Sequence, residues 1–120
     1  WIAALRVSAH FLIRRDGELV QFVSTAQRAW HAGASCWRGR PVCNDFALGV
    51  ELEGTGELAY TDAQYTRLGQ LVTRLASQLP LVEMTGHEQI APGRKTDPGP
   101  SFDWARAAAV CGLPVWPGEA

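Results

Sequence analysis

Val7-Ser-Ala-His-Phe-Leu-Ile-Arg-Arg-Asp-Gly-Glu-Leu-Val-Gln-Phe-Val23 is the stretch from which the fold is read. Val7, Ala9, Phe11 and Ile13 recur at every second position, so in an extended chain they share one face. Leu19 to Val23 forms a second apolar run. Between the two lies Arg14-Arg15-Asp16-Gly17-Glu18. Asp-Gly between apolar runs is a strong hairpin signal, because glycine accepts the positive φ that a tight turn demands. Residues 7–23 are therefore expected to form a β-hairpin.

Moving outward, residues 24–45 carry scattered Ser, Gly, Pro, Asn and Asp with Trp30 and Trp37 among them, and are expected to be a long irregular loop, a kind of segment that is usually functional. Ala47 to Glu53 is expected to be a third strand, ended by Gly54-Thr55-Gly56. Its continuous apolarity around Leu48, Val50 and Leu52 leaves the facing of Glu51 open. Thr61-Asp62-Ala63-Gln64 has the capping-box pattern, and Tyr65, Leu68, Leu71, Val72, Leu75 and Leu79 then recur at helical spacing. This predicts an amphipathic helix over 62–79, stopped by Pro80. The run from Gly86 to Pro100 holds three Pro and three Gly, so it cannot be a long regular element. Ser101 is expected to cap a short helix around 103–110. The expected organisation is one domain over 1–110 followed by a tail over 111–120.

A chain of 120 residues suits a single domain with one core. Eleven Lys and Arg against twelve Asp and Glu give a net charge of −1, without the basic excess of a general nucleic-acid binder. No apolar run approaches the roughly 18–20 residues that a membrane-spanning helix requires. Neither nucleic acid nor membrane is expected as a partner. Cys36, Cys43 and Cys111 make an odd, sparse set without the C-x-x-C spacing of a zinc knuckle; Cys36 and Cys43 can close a small ring, but reduced loop thiols are the favoured reading.

The residues with chemistry to offer cluster late in the chain. His87 and Asp97 are both good zinc ligands, and the stretch between them is stiffened by Pro92. Spacing alone favours a loop histidine and a turn-initiating aspartate, since His-x9-Asp follows no general rule. Lys95 can stabilise a developing oxyanion or serve as a solvated loop cation. Glu51 sits between apolar strand residues and can act as a general base, and Glu53 shares its face, so either carboxylate can be the working one. His10 and His31 are read as hydrogen-bonded structural histidines or substrate contacts before ligands. Arg6, Arg38 and Arg40 can receive a carboxylate, and Trp30 and Trp37 can stack on a sugar ring.

Taken in order, Val7–Gly17, Arg28-Ala-Trp-His-Ala-Gly33, Cys43-Asn-Asp-Phe46, Gly49-Val-Glu-Leu-Glu-Gly54, Tyr60-Thr-Asp-Ala-Gln-Tyr65 and Gly86–Pro100 make the chain resemble the zinc-dependent N-acetylmuramoyl-L-alanine amidases. The resemblance is closest to the cytosolic branch acting on 1,6-anhydromuropeptides. It covers about residues 5–108, and Ile90-Ala-Pro-Gly-Arg-Lys-Thr-Asp-Pro-Gly99 is its most specific string.

The resemblance implies an α/β (α+β) fold, a mixed β-sheet flanked by helices as in peptidoglycan recognition proteins. It implies zinc bound at His87 and Asp97, transition-state assistance from Lys95, and a role for Glu51 with the attacking water. Arg6, Trp30 and His31 are implied to border the substrate cleft. Val42 stands where some relatives place a basic residue, which brings in nearby Arg40 as a substrate contact. The implied reaction is hydrolysis of the amide joining the lactyl group of muramic acid to L-alanine in muropeptides, for peptidoglycan recycling, by a cytoplasmic enzyme expected to be a monomer.

The family's remaining zinc ligand is a histidine at the end of an N-terminal strand, and neither His10 nor His31 matches it. The sequence also opens at Trp1. It is therefore expected to be N-terminally truncated, with the third ligand upstream of Trp1, and loss of that strand is expected to bare a sheet edge. Two alternatives accompany this expectation: a secreted amidase acting on intact peptidoglycan, and a muropeptide-binding module without catalysis.

Overall fold

The computed structural model describes residues 9–54 and 57–119. Arg6, and the first residues of the expected leading strand, lie outside the described residues. In chain order the elements are β1 (Phe11–Ile13), β2 (Leu19–Gln21), β3 (Cys36–Trp37), β4 (Arg40–Pro41), β5 (Val50–Leu52), α1 (Asp62–Ala76), α2 (His87–Ile90) and α3 (Trp104–Cys111).

The Asp16-Gly17 turn forms as expected. β1 and β2 pair antiparallel, with Phe11 opposite Gln21 and Ile13 opposite Leu19. β5 joins the other side of β1 in parallel, Leu12 opposite Glu51, so the sheet is mixed and ordered β2-β1-β5. A parallel neighbour requires a crossover, and the chain from β2 to β5 supplies it.

The capping box fastens α1 to this sheet. Thr61 Oγ1 accepts from the Gln64 amide at 3.1 Å, and Gln64 Oε1 accepts from the Thr61 amide at 2.9 Å. The same buried Gln64 donates through Nε2 to the carbonyls of Ile13 and Glu53, at 3.3 and 2.8 Å. One side chain thus satisfies the helix start and the ends of two parallel strands, polar groups that would be costly to bury unpaired. Tyr65, Leu68, Leu71, Val72 and Leu75 face Phe11, Ile13, Phe102, Ala107 and Cys111 in the main core. Each fully buried leucine contributes about 1.5–3 kcal/mol relative to exposure. The helix ends at Ala76, earlier than the expected 79, although Leu79 still packs against the core.

Two local expectations are corrected. The 24–45 segment is not wholly irregular: β3 and β4 form a second hairpin, Cys36 opposite Pro41 and Trp37 opposite Arg40. Its two turn residues, Arg38 and Gly39, have φ of 49° and 80°. Positive φ at both positions matches the right-handed strand twist, but Asn or Gly is the usual occupant of the first. A non-glycine residue there costs about 1–2 kcal/mol, and its presence hid the turn. The cap of α3 is Asp103 rather than Ser101, its carboxylate accepting from the Arg106 amide at 3.0 Å. The residues after α3, whose course was left open, return to the body. Met84 donates to the Pro114 carbonyl and Trp116 donates to the Met84 carbonyl, both at 2.9 Å. Trp116 is buried in a second core with Ala32, Cys43 and Ile90.

Candidate active site

The Gly86–Pro100 stretch is folded back on itself by backbone bonds. α2 is a single turn, and the Glu88 amide at its start donates to the Asp97 carbonyl at 3.0 Å. Ala91 donates to the His87 carbonyl, and Lys95 donates to the Ala91 carbonyl. From the opposite side the Tyr60 hydroxyl donates to the Pro98 carbonyl at 2.8 Å. These bonds bring His87 Nδ1 to 2.5 Å from Asp97 Oδ2. The imidazole is largely covered while the aspartate side chain is half exposed.

The pair stands on the wall of a cleft of about 490 Å³ that also presents His31, Arg40, Glu51 and Tyr60. Six sequence-nominated residues are therefore together: His31, Trp37, Arg40, Glu51, His87 and Asp97. Lys95 is exposed two positions before Asp97 and is not part of the cleft lining. Trp30 also lies off the lining, with the Arg28 guanidinium 4.3 Å above its ring and Arg28 itself paired with Asp45.

Local structure separates the two candidate carboxylates. Glu53 Oε1 accepts from the Arg15 amide at 2.9 Å, which commits that carboxylate to the first hairpin. Glu51 instead lines the cleft. His10 is buried, with Nε2 bonded to the Gln27 carbonyl at 2.8 Å and Nδ1 accepting from the Gly49 amide at 3.1 Å. Both ring nitrogens are used, so His10 is a structural histidine tying β1 to the entry of β5.

His31 lies against Gly49 so closely that a Cβ on residue 49 would come within 2.5 Å of its ring, and only glycine permits this packing. Burial pushes the His31 imidazole down to about 4; its bond to the Ala47 carbonyl opposes the shift, and the charges of His87, His10 and Arg28 reinforce it. At neutral pH the ring is therefore uncharged, with Nε2 directed to Ala47 at 3.2 Å. Tyr60 was not nominated from sequence. Burial raises its pKa first, with Asp97, Tyr65 and Glu51 adding and Arg15 opposing, so its hydroxyl remains a donor to Pro98. The sequence signals for it were its place ahead of the capping box and in the Tyr60–Tyr65 string of the resemblance.

An imidazole nitrogen and a carboxylate oxygen converging on one point are suitable donors for zinc. His31 does not complete the set: its ring centroid is 6.3 Å from that of His87 and its Nε2 is engaged by Ala47. Among the described residues no group of three His, Cys, Asp or Glu side chains is placed to hold one ion.

The family model for N-acetylmuramoyl-L-alanine amidase matches residues 2–100. The chain belongs to that family. It is 62% identical over 111 residues to the 1,6-anhydro-N-acetylmuramyl-L-alanine amidase AmpD of Citrobacter freundii, covering 91% of this chain and 59% of that protein. A crystal structure of a selenomethionine AmpD derivative superposes with a TM-score of 0.86 at 62% identity, covering 91% of this chain and 62% of the other. The amidase AmiD from E. coli, in complex with the substrate anhydro-N-acetylmuramic acid-L-Ala-D-gamma-Glu-L-Lys, gives a TM-score of 0.83 at 31% identity, covering 97% and 53%. The chain thus spans about 60% of the length of the AmpD relatives it matches. The mixed sheet with flanking helices is the architecture of these amidases. Among the described residues, no helix is long and apolar enough to cross a membrane.

Proposed function

We propose that this chain carries most of the catalytic domain of an amidase that hydrolyses the bond between (1,6-anhydro-)N-acetylmuramic acid and L-alanine in muropeptides, for peptidoglycan recycling in the cytoplasm. The observation that carries the proposal is the His87–Asp97 pair, set at 2.5 Å in a cleft shared with Glu51 and His31. The anhydro-specific reading is supported by the 62% identity to an AmpD enzyme.

His87 and Asp97 would hold zinc, together with a histidine contributed from outside these 120 residues. When bound, zinc supplies Lewis-acid polarisation of the scissile carbonyl. Glu51 takes a proton from the attacking water, a role supported by its standing on the same cleft as the His87–Asp97 pair. Lys95, two residues from Asp97, offers positive charge to the developing oxyanion once substrate is bound. Neutral His31 and cationic Arg40, both on the cleft wall, contact the substrate; for Trp30 and Arg6 the same role is supported by the family resemblance alone. Its partner is the muropeptide alone, and the protein acts as a monomer.

The test is release of peptide from an anhydromuropeptide by the chain, with zinc and with chelator, alone and fused to the N-terminal region of an AmpD relative. Chelator-sensitive release in either form supports the proposal. Muropeptide binding without release in both forms would make this a binding module instead.

A further inference from the structure

The Glu83 carboxylate is almost covered, at 8% side-chain exposure, and three donors from one short hairpin converge on it. Trp37 Nε1 donates to Oε1 at 2.8 Å, Arg38 Nε donates to Oε1 at 2.6 Å, and Arg38 Nη2 donates to Oε2 at 3.0 Å. A forked guanidinium contact is the strongest geometry available to a carboxylate, and here an indole supplements it. The arginine that provides the fork occupies the left-handed turn position of the β3–β4 hairpin, φ 49°. A residue held in an unfavourable backbone region while its side chain makes a specific bond points to function rather than accident.

The Glu83 carboxylate and the Trp37 indole lie at the cleft, with the Arg38 guanidinium outside it. Trp37, Arg40 and Glu83 all line it, as does Cys43 just beyond the hairpin. On the hairpin's inner side the Arg40 guanidinium lies 3.9 Å over the Phe46 ring, and Trp37 sits 5.7 Å from the same ring. The anchor is itself fixed: Met84 and Thr85, next to Glu83, are bonded to Pro114 and Trp116.

We propose that Glu83 is a positioning residue, a latch that holds the 36–41 hairpin as one wall of the cleft and so sets the cleft's grip on the peptidoglycan fragment. The inference rests on the amidase reading for the identity of the ligand, and on geometry alone for the latch. Glu83 acts through Trp37 and Arg40 and takes no part in bond breaking.

The experiment compares the 120-residue chain with Glu83→Gln and Arg38→Asn. Asparagine suits the left-handed turn, so Arg38→Asn removes the fork while leaving the hairpin free to form. Amide exchange at Trp37 and Arg40 should rise by roughly tenfold in both variants, as expected for losing a charge-assisted contact worth about one decade. The Trp37 indole N–H resonance should shift, and Cys43, buried in the parent, should alkylate faster. The dissociation constant for anhydro-N-acetylmuramic acid-L-Ala-D-γ-Glu-L-Lys should rise by about tenfold, with zinc affinity unchanged.

Parent-like exchange and Cys43 rates in both variants overturn the latch. A loosened hairpin with unchanged muropeptide affinity overturns its role in recognition. Failure of the parent chain to bind the muropeptide counts against the amidase reading. In that case the exchange and alkylation rates decide the latch alone, faster rates upholding it and unchanged rates removing it.

Discussion

His87 Nδ1 and Asp97 Oδ2 stand 2.5 Å apart although ten positions separate them in sequence. Backbone bonds create the proximity: Glu88 donates to the Asp97 carbonyl, and Tyr60 holds the next carbonyl, that of Pro98. The side chains therefore meet because the loop is closed beneath them, and removing one of them leaves the loop in place.

Asp97→Asn should accordingly keep the fold while lowering zinc affinity by at least about tenfold, the scale of effects seen even for residues that only support a metal ligand. Amide hydrolysis should fall with it. Lys95→Ala should leave zinc bound and reduce the rate alone. Metal titration by competition with a chromogenic chelator, run beside turnover, separates the two. Zinc affinity unchanged in Asp97→Asn would remove Asp97 from the metal site.

Glu51 and Glu53 are two residues apart on one strand edge, yet only Glu51 lines the cleft, because the Arg15 amide engages Glu53. Glu51→Gln should therefore lower turnover by about 10²–10⁴-fold, the range for losing a general base, with stability little changed. Glu53→Gln retains an acceptor for Arg15 and should keep turnover near the parent value. Reversal of these two outcomes in a steady-state assay would mean that the wrong carboxylate has been assigned.

What could be read from the sequence divides along the range of the interactions. The first hairpin was legible at Asp16-Gly17, and the long helix at Thr61 and Gln64, because turns and caps are decided by neighbours in the chain. The second hairpin was not, since Arg38 occupies a position whose usual residues announce a turn. Nor could spacing reveal that Trp37 would meet Glu83, or that Trp116 would be buried beside Ile90. These contacts depend on how the elements pack. The site followed the same division. His87 and Asp97 were nominated as zinc-ligand types within the Gly86–Pro100 segment of the resemblance, whereas nothing local showed that Tyr60 would secure their loop across 38 positions.

The Glu83 latch makes a prediction about acid. The Arg38 hydrogen bonds hold the Glu83 carboxyl below the usual carboxylate range; burial opposes them and the Trp37 indole assists. Arg38 is in turn favoured in its charged form by Glu83 and, at longer range, by Glu119. In the unfolded chain this carboxyl takes up a proton near ~4.3. The folded chain does so only at lower pH, so between those values the unfolded state binds more protons. The contribution of Glu83 to stability is thus complete above ~4.3 and declines as pH falls through the folded value. Urea unfolding of the parent and of Glu83→Gln should show a stability difference at pH 7 that narrows by pH 3. A difference of equal size at both pH values would contradict the assignment.

Val42 offers a test of backbone strain alone. Its φ of 57° and ψ of 64° place a β-branched, exposed residue in the left-handed region, immediately before the 3₁₀ turn Cys43–Asp45. The position is needed, since the Val42 carbonyl accepts from the Asp45 amide at 3.0 Å and starts that turn. Valine is poorly suited to it because its branched Cβ crowds the carbonyl in this conformation, whereas asparagine tolerates it. With the residue 43% exposed, little apolar burial is lost on replacement. Val42→Asn should therefore stabilise the chain by about 0.5–1 kcal/mol, read as a higher urea midpoint at unchanged slope. Val42→Ile, which keeps the branched Cβ, should show no such gain. Val42→Gly should gain less than asparagine, because glycine also frees the unfolded chain. Equal midpoints for Asn, Ile and the parent would show that the left-handed geometry at residue 42 carries no energetic cost.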